Sequence, residues 1–303
     1  MRRSRLSGVE VSLHIQPLTA SADSPLKGIE TDFSHVQWLD VEGLKIRYLK
    51  GPDRTGVPLL LTSPWPESLF AFRKIWDRLT AKVSVVAVDL PGFGQSEGRA
   101  DVLSPSGMGA ILPQIMHALG LTRVHGVGPD VGTSAFLFAA KDRPALFESL
   151  VVGSGATSAD TTGATLKDLI FAPSLADFEK MDGSVIALGA VDGLLNETLP
   201  PDVRADYAAA SAGRRFIEAA SYVRWYPRDL AKLGEALASI STPVLGIWGK
   251  NDPLVPPNNA DLLNKLPKSS AIYVDAGHFV WEQQPDAYAT AVLDWVKGGH
   301  AAS

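Results

Sequence analysis

The chain has 303 residues and a formal charge of −5; nearly half of the residues are apolar, a fifth are charged and none is cysteine. That length suits one large α/β domain or a domain with an insertion, and the composition is that of an ordinary globular protein. The acidic balance, without any long basic block, argues against a nucleic-acid or anionic-membrane partner, and the missing cysteines exclude disulfides, thiolate nucleophiles and cysteine-based zinc sites while fitting a reducing cytosol.

The opening stretch MRRSRLSGVEVSLHIQPLTA begins with arginines, as a secretory signal does. Such a signal needs an unbroken apolar core of about 7–15 residues, and this segment is interrupted by Ser, Glu, His and Gln. No segment approaches the roughly 20 apolar residues of a membrane span. A cytoplasmic protein is therefore expected, with residues 1–35 as a polar peripheral arm.

From Val36 the pattern changes to short apolar runs. VQWLDVEGLKIRYL predicts a hairpin turning at Glu42-Gly43. PLLLT (58–62) and SVVAVDL (84–90) read as buried strands, with an amphipathic helical segment, SLFAFRKIWDRLT, between them. RVHGVG (123–128) is a further strand feeding a helix, GTSAFLFAAKD; SLVVGS (149–154), TPVLGIWG (242–249) and SAIYVD (270–275) complete the set. Strands apolar on both faces and alternating with helices predict an α/β fold: a mostly parallel sheet covered by helices on both sides. Residues 155–235 break the alternation with helical runs such as DVRADYAAASAGRRFIEAASYVRWY and no convincing strand. The expected organisation is a core of 36–154 and 236–303, with 155–235 as a helical cap over the carboxyl ends of the strands, where such sheets bind ligands.

Three chemistry-bearing residues fall at strand ends. Asp130 sits in GPDVG, a small-x-X-x-small turn from strand to helix; Asp252 follows LGIWGKND; His278 follows IYVDAGH. Each alone is explained as a cap or turn residue, but together they have the order nucleophile, acid, histidine. A carboxylate is already ionised at neutral pH and needs no base to attack. Attack on an acyl carbon would leave a reactive anhydride, whereas attack on a saturated carbon leaves an ordinary ester. Water activated by His278, itself oriented by Asp252, can then cleave that ester at the Asp130 carbonyl carbon. The residue types thus point to displacement at sp³ carbon.

SPWPES, DLPGFGQSEG, GPDVGTS, WGKNDPLVP and AGHFVWEQQPD together resemble the α/β-hydrolase superfamily, and within it the aspartate-nucleophile branch of epoxide hydrolases and dehalogenases, over about residues 36–298. The resemblance implies the α/β-hydrolase fold with an inserted cap, and an oxyanion hole from the backbone N–H groups of Trp65 and Val131. It also implies a cis bond at Trp65-Pro66. The chain departs from the family's His-Gly-x-Pro at Ser63-Pro64. In this branch an epoxide oxygen is held by cap tyrosines and a halide by indole N–H groups. Tyr207, Tyr222, Tyr226, Trp225 and Trp281 are the corresponding candidates, Tyr222 and Tyr226 lying four apart so that they could share a helix face. Val131 stands where dehalogenases of this kind carry Trp or Arg, which tilts the expectation towards epoxide opening. A haloalkane or haloacid dehalogenase is the alternative, and a non-hydrolytic ligand-binding or lyase-like protein on the same fold is a third.

Other signals are bland. His125 lies inside a strand and reads as a core histidine, and His14, His35, His117 and His300 have no metal-ligand spacing. GVGPDVG lacks the third glycine of a dinucleotide-binding turn. The expectation is a monomer or homodimer without cofactor or metal, acting on a small, largely apolar molecule.

Overall fold

The structure, a computed structural model, describes residues 33–176 and 178–301; of the arm expected over 1–35, residues 1–32, with His14, lie outside the described residues. The expected hairpin is present as β1 (Gln37–Val41) and β2 (Leu44–Lys50). Glu42 and Gly43 both have positive φ, 52° and 81°, the turn geometry whose twist matches that of the paired strands. The remaining strands are β3 (Leu59–Thr62), β4 (Val85–Val88), β5 (Val124–Pro129), β6 (Phe147–Gly153), β7 (Val244–Gly249) and β8 (Ser269–Val274). They form one eight-stranded sheet in the order β1-β2-β4-β3-β5-β6-β7-β8. The pairs β1–β2 and β2–β4 are antiparallel and all others parallel.

Each residue of β3, β4 and β5 is buried, and period-two alternation divides β3 and β4 between two cores. Leu60, Val86 and Val88 join one cluster beneath α2 (Pro105–Ala118) and α3 (Val131–Asp142). Leu59, Leu61, Val85 and Ala87 join the other, with α1 (Arg73–Thr80), α9 (Val280–Gln283) and α10 (Pro285–Val296). Full burial on both faces is why these strands read as unbroken apolar runs.

The chain leaves β3 for β4 on one side and returns to place β5 on the other. The carboxyl ends of β3 and β5 therefore flank a topological switch point, where α/β sheets leave a crevice. The loop carrying Trp65 follows β3, and Asp130 follows β5.

Between β6 and β7 lie α4 (Ala164–Ile170), α5 (Gly183–Leu195), α6 (Pro201–Ser211), α7 (Arg215–Val223) and α8 (Tyr226–Ala236), with no strand among the described residues. Their inward side chains join both cores: Val191, Leu195 and Val203 one, Tyr226, Leu230 and Leu233 the other. A buried polar anchor adds to this. Asp206 of α6 receives Arg47 Nη1 at 2.6 Å and Nη2 at 3.1 Å, Ser68 Oγ at 2.5 Å and Gln95 Nε2 at 2.7 Å. Arg47 Nε in turn donates to Asp89 at 2.6 Å. Both Asp206 oxygens accept two hydrogen bonds, the condition under which a buried ion pair recovers its desolvation cost.

Candidate active site

β5 passes into α3 with only Asp130 between them, at φ 52° and ψ −120°. A non-glycine residue with positive φ outside a helix is strained, and such strain persists where surrounding structure enforces it. Here the small neighbours let the chain turn so sharply. A Cβ on Gly128 would lie 2.3 Å from the Phe136 ring and 2.7 Å from the Gly132 carbonyl oxygen, and a Cβ on Gly132 would lie 2.3 Å from Thr62 Oγ1. The Asp130 N–H donates to Gly153 O at 2.8 Å, tying the turn to β6.

Asp130 Oδ2 accepts the backbone N–H of Trp65 at 2.7 Å. The N–H of Val131 also favours the charged carboxylate. Trp65-Pro66 is cis, as the resemblance implied. On the other side, His278 Nε2 stands 3.8 Å from Asp130 Oδ1. His278 Nδ1 meets Asp252 Oδ2 at 2.8 Å. Asp252 Oδ1 is held by the N–H groups of Leu254 and Val255 at 2.8 and 2.9 Å. Because a carboxylate accepts, the pairing makes Nδ1 the protonated nitrogen of the neutral ring and leaves Nε2 free to take a proton. Asp130, Asp252 and His278 are thus brought together from the ends of three strands, with Trp65 and Val131 around the carboxylate.

Burial pushes the Asp130 carboxyl up; His278 and the N–H groups of Trp65 and Val131 pull it down, and it remains above the ordinary carboxylate range. For His278, burial opposes the charged ring, but the Asp252 carboxylate, its hydrogen bond and Asp130 outweigh burial, so its pKa stands above the ordinary histidine value.

The aromatic candidates separate. Tyr222 and Tyr226 do not share one helix: Pro227, which lacks an N–H, stands in the first turn of α8, Tyr222 is near the end of α7 and Tyr226 begins α8. Their rings still meet edge to face at 5.8 Å. The Tyr222 hydroxyl is engaged with Ser134 Oγ at 2.8 Å and Val131 O at 3.1 Å. Tyr226 is only 3% exposed. Burial, then the charges of Tyr222 and Asp130, raise its pKa well above the ordinary phenol value, so it stays protonated.

Tyr207, Trp225 and Trp281 are placed differently from the expectation that they face a substrate. Trp225 is 40% exposed, with the Arg228 guanidinium stacked 3.9 Å from its ring. The Tyr207 hydroxyl donates to Glu67 at 3.2 Å and lies 3.4 Å from Glu282, and the Trp281 indole donates to Glu67 at 2.9 Å. Trp281 does border the site, its ring 6.2 Å from that of His278, but its N–H is committed.

Glu67 and Glu282 are buried groups that sequence reasoning did not single out. Arg73 and Lys74 pair with Glu282, and Lys74 also with Glu197 at 2.5 Å. Burial, then Glu282, pushes the Glu67 carboxyl well above its usual range. A glutamate in SPWPES two residues after Trp65 was visible, but nothing in the sequence announces a second carboxylate from 215 residues away.

His125 is the core histidine expected: it is buried, Nδ1 meets Ser149 Oγ at 2.8 Å, and burial pushes its pKa down to about 4. Among the described residues no group of His, Cys, Asp and Glu is arranged to hold a metal ion, and no helix is long and apolar enough to cross a membrane.

The chain is similar to several known hydrolases. The chain is 26% identical over 280 residues to haloalkane dehalogenase 2 of Mycobacterium tuberculosis, covering 85% of this chain and 93% of that protein. It is 28% identical over 124 residues to the soluble epoxide hydrolase of a Corynebacterium species, covering 41% and 42%. Among solved structures, epoxide hydrolase CorEH superposes with a TM-score of 0.72 at 21% identity, over 86% of this chain and 97% of that one. The family model described as alpha/beta hydrolase fold matches residues 57–285. With its sheet order, its strand-to-helix turn and that match, this chain belongs to the α/β-hydrolase fold family.

Proposed function

We propose that the protein is a hydrolase that forms a covalent alkyl ester on Asp130 and opens epoxides to diols. The observation that carries this is the carboxylate at the strand-to-helix turn, with Trp65 N–H at 2.7 Å on one oxygen and His278 Nε2 3.8 Å from the other. A serine in that position would need the histidine for activation; a carboxylate leaves the histidine free for water.

In the first step an Asp130 oxygen attacks an epoxide carbon, the C–O bond breaks, and the oxygen leaves as an alkoxide. The Tyr226 phenol donates its hydrogen bond and then its proton, an alkoxide being the stronger base. In the second step His278 Nε2 takes a proton from water and the hydroxide adds to Asp130 Cγ. The N–H groups of Trp65 and Val131 hold the resulting oxyanion. Collapse expels the diol oxygen, which takes the proton from His278; the Asp130 carboxyl so formed loses its remaining proton, one proton returns to the Tyr226 phenolate, and both groups are restored. Helices α4–α8 act as the cap over this chemistry, with Tyr222 bracing Tyr226 rather than donating.

One observation favours a second reading. The Trp65 indole N–H is buried without an acceptor among the described residues, and an indole N–H suits a departing halide. A panel of small epoxides and alkyl chlorides or bromides separates the two: diol formation is expected, and halide release without diol formation assigns the protein to dehalogenation.

A further inference from the structure

A cavity of about 420 Å³ opens between α8 and the segment that follows β6, a volume within the roughly 300–1,000 Å³ typical of small-molecule sites. Leu230, Ala231 and Gly234 on α8 line one side and Leu262 another, Thr157 and Ser158 add hydroxyls, and the charged residues Asp160, Glu235 and Lys265 stand exposed around it.

Two observations join this cleft to Asp130. Tyr226 lines it, and the same ring packs against Tyr222, whose hydroxyl bonds the first turn of α3 directly after Asp130. Gly155 lies so close to Asp130 that a Cβ there would be 2.4 Å from the Asp130 carbonyl oxygen, and Thr157, two residues on, lines the cleft. Two residues of chain reach at most about 7 Å. The cleft wall at Thr157 therefore lies within a short span of chain of the Asp130 backbone, with Tyr226 on the same side. The Tyr226 side chain is 3% exposed and meets the Tyr222 ring edge to face.

We infer that this cleft is the subsite for the non-reacting part of the substrate, an unbranched aliphatic tail lying between α8 and Leu262 while the reacting carbon reaches Asp130 past the Tyr226 ring. The inference rests on the hydrolase reading above and names its substrate class: a terminally activated alkyl chain. The aliphatic run of Leu230, Ala231 and Leu262 suits such a tail, with the charged side chains exposed around the cleft.

Gly234 provides the test. A Cβ there meets nothing nearer than Leu262 Cδ2 at 3.9 Å, and replacing glycine within a helix does not disfavour the helix, so Gly234→Phe fills the cleft without disturbing the fold. The ratio of kcat/KM for 1,2-epoxydecane to that for 1,2-epoxypropane is expected to fall at least tenfold in Gly234→Phe. Calorimetry with 1,2-decanediol gives a second readout independent of turnover: wild type binds and Gly234→Phe does not. If no epoxide is turned over but that binding difference is seen, the epoxide reading fails while the tail subsite stands. An unchanged ratio with unchanged diol binding overturns the subsite, as does a wild type that neither binds the diol nor hydrolyses the long epoxide.

Discussion

Two buried carboxylates, Asp130 and Glu67, stand on neighbouring loops and are both pushed up by burial, yet their surroundings prepare them for opposite tasks. Asp130 faces two backbone N–H groups and a histidine that can carry positive charge. Glu67 faces a phenol, an indole and a second carboxylate. Burial raises the cost of charge at both. At Asp130 the opposing groups favour the anion, the form the proposed nucleophile needs; at Glu67 the like charge of Glu282 adds to burial and favours the proton. Burial alone does not mark a reactive carboxylate, and the chemistry of its neighbours decides.

The sharpest way to break this comparison is to exchange each acid for its amide. Asp130→Asn should lower turnover at least ~10⁴-fold, because the nucleophile is removed from a unit that acts together, with the melting temperature within a few degrees of wild type. A large stability loss with retained turnover would make Asp130 structural. Glu67→Gln keeps the shape and should retain turnover within about the same order of magnitude.

Next in size is the separation of the two tyrosines. Tyr226→Phe is expected to slow epoxide opening about 10²-fold, the lower range for a positioned proton donor. Tyr222→Phe removes bonds to Ser134 and Val131 and should cost about 1 kcal/mol of stability, with a smaller kinetic effect. Equal rates in both variants and in the double variant would place the leaving-group donor elsewhere.

The anchor of α6 gives a stability counterpart. Asp206→Ala leaves Arg47 buried with only Asp89, and should cost about 3 kcal/mol, read by urea unfolding, as for a broken buried pair. A loss below about 1 kcal/mol would show that apolar packing alone holds α6 in place.

The smallest effects are in pH. His278 must be neutral to take a proton from water, and in the proposed ester, where Asp130 carries no charge, the Asp252 carboxylate and its hydrogen bond still favour the charged ring, so an acid limb set by His278 is expected in the kcat profile. Glu67, with a folded pKa above its unfolded one, binds its proton more tightly in the native state. Its contribution to stability is complete below the unfolded carboxyl value and is lost as pH rises through the folded one. Glu67→Gln should therefore flatten the decline of unfolding free energy above pH 5; an unchanged slope would mean that Glu67 does not hold its proton.

Much of this arrangement was legible in the sequence, for local reasons. The apolar runs of β3 to β7 announce strands buried on both faces, and the turns at Glu42-Gly43 and Gly128–Gly132 declare themselves through small residues at close approaches. Asp130, Asp252 and His278 were visible because each follows a strand at the sheet's carboxyl edge. Side-chain partners set by long-range packing were not legible. Tyr207 and Trp281 look like site aromatics until Glu67 claims both polar ends. Trp225 looks like a halide ligand until the break before α8 turns it outward beside Arg228. The difference between Tyr222 and Tyr226 likewise depends on Ser134, which lies 88 residues from Tyr222.

The central claim, that Asp130 becomes an ester, is tested most directly by the intact mass of His278→Gln after incubation with small epoxides and alkyl halides. Without the base the second step stalls, and the account predicts a stable adduct equal to the mass of one epoxide, mapped by peptide sequencing to Asp130. No adduct with any epoxide or halide, or an adduct on another residue, would contradict it.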